Sequence, residues 1–91
     1  MAKRVTLAPR LDTAALTALR DEVLACTDDD VVFDGKDVEQ LGGLCLELLM
    51  SAGTLWPKAG RSVSLEDPSP QMIDDLKRFG LTPATLLESA A

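Results

Sequence analysis

The sequence contains no histidine and no tyrosine, and its only aromatic residues are Phe33, Trp56 and Phe79. Without histidine the commonest general base is missing, and with it the usual Ser–His and Cys–His activation of a nucleophile. Lysine could still act as a base, but Lys3, Lys36, Lys58 and Lys77 all fall at positions that read as surface. The two cysteines, Cys26 and Cys45, stand far apart and form neither a CxxC redox pair nor a zinc-binding spacing. They are expected to be buried thiols in a reducing compartment, with a disulfide left open as the alternative. No stretch approaches the ~20 apolar residues that span a bilayer. The first residues, Met1-Ala2-Lys3-Arg4, lack the apolar core of a signal peptide. The expectation is a cytoplasmic protein that is not an enzyme, carries no metal and no cofactor, and does not insert into a membrane.

The chain has 91 residues, 15 acids and 9 bases, for a formal charge of −6. Phosphate backbones repel such a surface, so nucleic acid is excluded as the expected partner. Asp28-Asp29-Asp30, Glu66-Asp67 and Asp74-Asp75 read as solvated loop and helix-start charge, with an acidic face for a basic partner as the sharper alternative. The length fits one domain over residues 1–91. With 46% hydrophobic residues and so few aromatics, the core must be aliphatic.

Along the chain, Arg4 to Ala8 is short and β-prone, and Pro9 ends it. Asp12 or Thr13 suits an N-cap. Leu16, Leu19, Val23 and Cys26 then follow at helical spacing, which predicts an amphipathic helix over about 13–26. Val31-Val32-Phe33 is an apolar run of the kind that forms a central strand covered on both faces. A loop over Gly35–Gln40 leads to Gly42-Gly43, which opens a second helix closed by Pro57 and Gly60. Ser62–Leu65 alternates like a half-exposed strand. Ser69-Pro70 is a cap-then-proline start for a third helix marked by Met72, Ile73, Leu76 and Phe79 and stopped at Gly80. Thr82-Pro83 starts a short last helix, and Glu88–Ala91 is expected to fray. This β-α-β-α-β-α-α order predicts an α/β fold with a small, mainly parallel sheet and right-handed crossovers.

Gly42-Gly43 before a helix has the position of a phosphate-binding turn, but neither the third glycine nor a Gly-Lys-Ser/Thr ending follows. The second helix is more informative. From Leu44 to Leu55 its clearly polar side chains are Glu47, Ser51 and Thr54 alone, in one narrow stripe. Such a helix is expected to be covered on more than one side. Either the sheet and the other helices cover all of it, or its start, Leu41 through Leu46, stays partly open as a docking patch.

Several segments fall in the order and at the spacing of one family. Pro9-Arg10-Leu11-Asp12 resembles its Gly-x-Leu-Asp segment, and Val31-Val32-Phe33-Asp34 resembles its central Val-x-Leu-Asp strand. Val38–Leu49 is similar to its strand-loop-helix element with an Asp-Ser-Ser-Gly-Leu-Gly signature. Ser69-Pro70 and Phe79-Gly80-Leu81 resemble its last turn and third-helix end. The family is the STAS domain, the sulfate-transporter and anti-sigma-factor-antagonist module, and the resemblance covers residues 4–87. It implies the STAS fold, here without the family's leading strand. The signature serines are replaced: Gly42-Gly43-Leu44-Cys45 stands where the family has Asp-Ser-Ser-Gly, so the usual phosphorylation has no acceptor and no phosphorylation site is expected. The resemblance implies a protein-binding surface made of Asp12, Gln40, Leu41, Gly42, Gly43, Leu44, Leu46 and Glu47. It also implies a bacterial signalling role, with an anti-sigma factor or a chemotaxis histidine-kinase-like regulator as partner. The alternative is the STAS subunit of a lipid-trafficking ABC transporter, and a homodimer is left open.

Overall fold

In the computed structural model, which describes residues 2–87, strands and helices alternate from the first residues onward. Strand β1 (Lys3–Thr6) leads to the two-residue β2 (Arg10–Leu11) and helix α1 (Thr13–Leu24). Strand β3 (Val31–Asp34) follows, then the two-residue β4 (Gln40–Leu41), helix α2 (Gly43–Lys58) and strand β5 (Val63–Glu66). Helices α3 (Pro70–Arg78) and α4 (Pro83–Leu86) complete the order. The β-branched and aromatic run Val31-Val32-Phe33 suits a pleated strand, and it takes the centre of a parallel sheet ordered β1-β3-β5. The expected α/β class, the small parallel sheet and the central place of β3 are all present.

Register decides which side chains enter the core, because residues alternate between faces. Val5, Phe33 and Leu65 pair across the sheet, as do Lys3, Val31 and Val63. Val5, Val31 and Phe33 join Leu19 and Val23 of α1, Leu49 and Trp56 of α2, and Met72 and Leu76 of α3 in one mainly aliphatic core that also takes in two of the three aromatic residues. The opposite face is open. Arg4 and Ser64 are exposed beside Val32, which is only half-buried. The expectation that β3 is covered on both faces is therefore corrected: helices cover one side of a two-layer structure. An apolar triplet reads the same whether its middle residue faces a second layer or lies between the stems of neighbouring polar side chains.

Caps define most helix starts. Asp12 caps α1 by accepting from the Ala15 N–H at 3.1 Å, and Ser69 caps α3 by accepting from Met72 at 3.0 Å, with Pro70 in the first helical position. Thr82 and Thr85 form a reciprocal capping box at α4. Gly80, at φ +76°, adopts the left-handed conformation that ends α3. Helix α2 runs through Pro57 to Lys58 rather than stopping at Trp56. Glu88–Ala91 lies outside the described residues.

Candidate functional site

The two short strands missing from the periodicity reading assemble the candidate surface. Arg10 pairs with Gln40 and Leu11 with Leu41 in a parallel two-residue ladder, continued by a Gly42 N–H to Leu11 carbonyl bond of 2.8 Å. A Cβ on Gly42 would sit 2.9 Å from that carbonyl oxygen, so only glycine admits this approach. The ladder thereby sets the start of α1, at Asp12, beside the start of α2. An open groove of about 430 Å³ lies between them, lined by Leu11, Asp12, Thr13, Gln40, Gly42, Gly43, Leu44, Cys45 and Glu47. Six of the residues singled out from the sequence, Asp12, Gln40, Gly42, Gly43, Leu44 and Glu47, thus meet at one place. The other two, Leu41 and Leu46, are each 4% exposed. They belong to the core and support this surface from beneath rather than touching anything upon it.

Helix α2 differs from its neighbours at this point. Of the four helices described, it alone lacks a side-chain cap: Gly42 occupies the N-cap in extended conformation and offers no side chain. The first-turn amides of α2 therefore have no side-chain acceptor at the helix start. Next to them Leu44 is 50% exposed. At Gly43 an added Cβ would meet nothing within 4 Å. Bare donors, an exposed leucine and two flanking carboxylates, Asp12 and Glu47, make a surface suited to contact with a protein.

The floor of the groove is chemically quiet. Cys45 is buried and donates weakly to the Asp12 carbonyl oxygen, 3.5 Å away. Burial pushes its thiol pKa up, and the Asp12 charge adds to the effect, so the reactive thiolate is disfavoured. Cys26 is also a buried free thiol. Among the described residues no group of three or more His, Cys, Asp or Glu side chains could hold a metal ion. No described helix is long and apolar enough to cross a membrane.

Sequence reasoning missed Asp75. It reads as half of a solvated acidic pair, yet it is buried and reaches from α3 to β4, accepting from the Leu41 N–H at 2.8 Å. Arg78, one turn on, holds its other oxygen at 3.0 Å. Asp75 thus pins the backbone immediately before the Gly-Gly junction. The one signal in the sequence is its helical spacing with Met72 and Leu76, which places it near the inward face of α3.

Helix α2 as a whole corrects a second expectation. Its buried side, Cys45, Leu46, Leu49, Ala52, Gly53 and Trp56, faces the core, with Leu48 half-buried at its edge, but its other side is largely exposed. Met50 and Leu55 are exposed far beyond the first turn, in addition to Leu44. The helix is covered over about half its circumference, and the polar stripe Glu47–Ser51–Thr54 is the midline of the open half.

The chain is thus a two-layer α/β domain in which a side-chain-free turn and an uncapped helix start share one open groove. The family model described as "Mlab, STAS domain" matches residues 1–88, and the chain belongs to the STAS domain family. No curated protein and no solved structure gives a significant match.

Proposed function

We propose that this chain is a non-enzymatic docking module that engages a protein partner through the β4–α2 junction, without a phosphorylation switch. The observation that carries this reading is the uncapped start of α2 beside half-exposed Leu44. A glycine N-cap gives up only about a few tenths of a kcal/mol against Ser, Thr or Asp, but it leaves the first-turn amides without a side-chain acceptor. A soluble domain that forgoes the cap and also exposes a leucine there leaves amides and an apolar side chain for a partner to cover. Asp12, Gln40, Gly42, Gly43 and Glu47 frame the contact. Within the bacterial signalling reading, the partner is an anti-sigma factor or a chemotaxis histidine-kinase-like regulator.

One observation favours the second reading, the STAS subunit of a lipid-trafficking ABC transporter. Gly43 and Leu44 carry no hydroxyl. Further along, Ser51 donates to the Glu47 carbonyl and Thr54 to the Met50 carbonyl, so the hydroxyls of α2 are engaged by the helix itself, and the one hydroxyl lining the groove, that of Thr13, belongs to α1. A β4–α2 junction without a phosphate acceptor suits a permanently assembled subunit better than an antagonist switched at that position, and the description of the matched family by Mlab accords with that choice.

Gly43→Asp tests the docking surface. Space is open at this position, and an acid in the first turn favours the helix dipole by about 0.3–1 kcal/mol. The variant is therefore expected to melt at or above the parent temperature while losing partner co-purification from native cells. Mass spectrometry of the parent's partner separates a transporter ATPase from a signalling regulator. A folded Gly43→Asp variant that still captures the same partner would remove this surface.

A further inference from the structure

The outward half of α2 extends well beyond the groove and has an order of its own. Glu47, Ser51, Thr54 and Lys58 succeed one another at spacings that keep them on a single line of a helix. The same geometry sets exposed Leu55 and half-buried Leu48, whose inner side packs on the core, on one side of that line, and Met50 and Pro57 on the other. Leu55 is 57% exposed and Met50 41%, and with Ser51 and Thr54 they shape a shallow depression of about 320 Å³. The two hydroxyls on the line are turned to the helix's own carbonyls, at 2.9 Å for Ser51 and 3.3 Å for Thr54. What remains of them is small and largely apolar. The charged ends, Glu47 and Lys58, form no ion pair among the described residues.

This pattern is complementary to itself when reversed. We infer that the chain forms an antiparallel two-fold dimer through the outward face of α2, pairing Glu47 with Lys58 of the partner subunit. With the axis between Ser51 and Thr54, each Ser51 meets Thr54 of the partner subunit. Leu48 meets Leu55 of the partner subunit, and Met50 meets Pro57 of the partner subunit. A two-fold contact requires one patch to match its own image, because each residue pair occurs twice. An acid at one end, a base at the other and small residues at the centre satisfy that requirement. Small central residues let two helices approach closely, while the flanking leucines and methionine supply the apolar area, in the manner of an antiparallel helix pair. A single 16-residue helix gives a contact at the small end of stable interfaces, so the dissociation constant is expected at about 10–100 μM. The inference does not rest on the identity of any docking partner, and because Glu47 borders the groove as well, a docked partner and the second copy compete for it.

Sedimentation equilibrium of the full chain up to about 1 mM, ten or more times that constant, tests it. The parent is expected to be dimeric at the top of this range. Leu55→Asp, at an exposed position, is expected to stay folded by circular dichroism and to be monomeric. Lys58→Glu sets acid against acid twice and is expected to weaken association about tenfold or more. The double variant Glu47→Lys with Lys58→Glu reverses both charges and is expected to recover the parent's association, which a general surface effect would not do. A parent that is monomeric throughout overturns the inference. So does a dimer that neither Leu55→Asp nor Lys58→Glu weakens, since its contact would then lie on another face.

Discussion

Asp75 shows how one side chain can matter more than its neighbourhood in the sequence suggests. Its carboxylate satisfies the Leu41 N–H in the interior, and Arg78 balances its charge. Asp75→Ala would leave that amide buried without an acceptor, which costs about 1–3 kcal/mol. In a domain of 91 residues each kcal/mol corresponds to roughly 4–8 °C in Tm. The expected outcome is a melting temperature lower by several degrees and faster hydrogen exchange at Leu41. Asp75→Asn keeps an acceptor oxygen and is expected to retain most of the stability. Equal losses in the two variants would show that the charge, not the hydrogen bond, is what the β4 backbone needs.

The pairing of α2 with α4 reverses an ordinary rule about helices. Replacing glycine by alanine in a helix interior normally gains about 1 kcal/mol. At Gly53, however, a Cβ would lie 2.7 Å from the Leu87 Cα and 2.8 Å from its carbonyl oxygen. Those are backbone atoms, and they can yield only if the segment after α4 moves away. Overpacking of this kind costs about 1–3 kcal/mol, more than the propensity gain, so Gly53→Ala is expected to lower Tm. A rise in Tm would mean that α4 is not seated against α2. Gly43 and Gly53 thus lie in one helix with opposite expected responses to substitution, because one faces open space and the other faces backbone.

Across the open face of the sheet, Arg4 of β1 bonds to Asp34 of β3 at 3.0 Å and to Glu66 of β5 at 2.7 Å. Three strands are tied by one guanidinium. Asp34 is 1% exposed and also accepts from the Lys36 backbone N–H at 3.0 Å, with the Lys36 ammonium 3.5 Å away. The Lys36 N–H is the main cause that holds the Asp34 pKa below its ordinary value of 3.8; the Arg4 bond and the Lys36 charge assist, and burial opposes them. Because the folded-state pKa is depressed, this carboxylate stabilises the fold fully above its unfolded-state value. That contribution is lost as pH falls through the folded-state value. Unfolding free energy measured in urea is expected to lose an Asp34-dependent part below about pH 4, and Asp34→Asn is expected to flatten that acid limb. An unchanged acid limb in the variant would remove Asp34 as its source.

The elements of this protein were legible because their signals are local. Asp12, Ser69-Pro70 and Thr82-Pro83 announce helix starts through the caps they form, and Val31-Val32-Phe33 announces a strand through its side-chain shape. The position of the candidate site was legible as well, since Gly42-Gly43-Leu44 puts two glycines and a leucine where a capping side chain is the rule. Local chemistry carries no such information about non-local contacts. A two-residue ladder between β2 and β4 has no periodicity to read, yet it brings Asp12 to Gly42. Whether Asp75 meets water or the Leu41 amide depends on a partner 34 positions away. Which half of α2 stays uncovered depends on how many layers pack on the sheet, and an apolar helix looks the same in sequence with one cover or two. Only the tertiary packing decided those contacts, because burial is a property of what lies opposite a side chain.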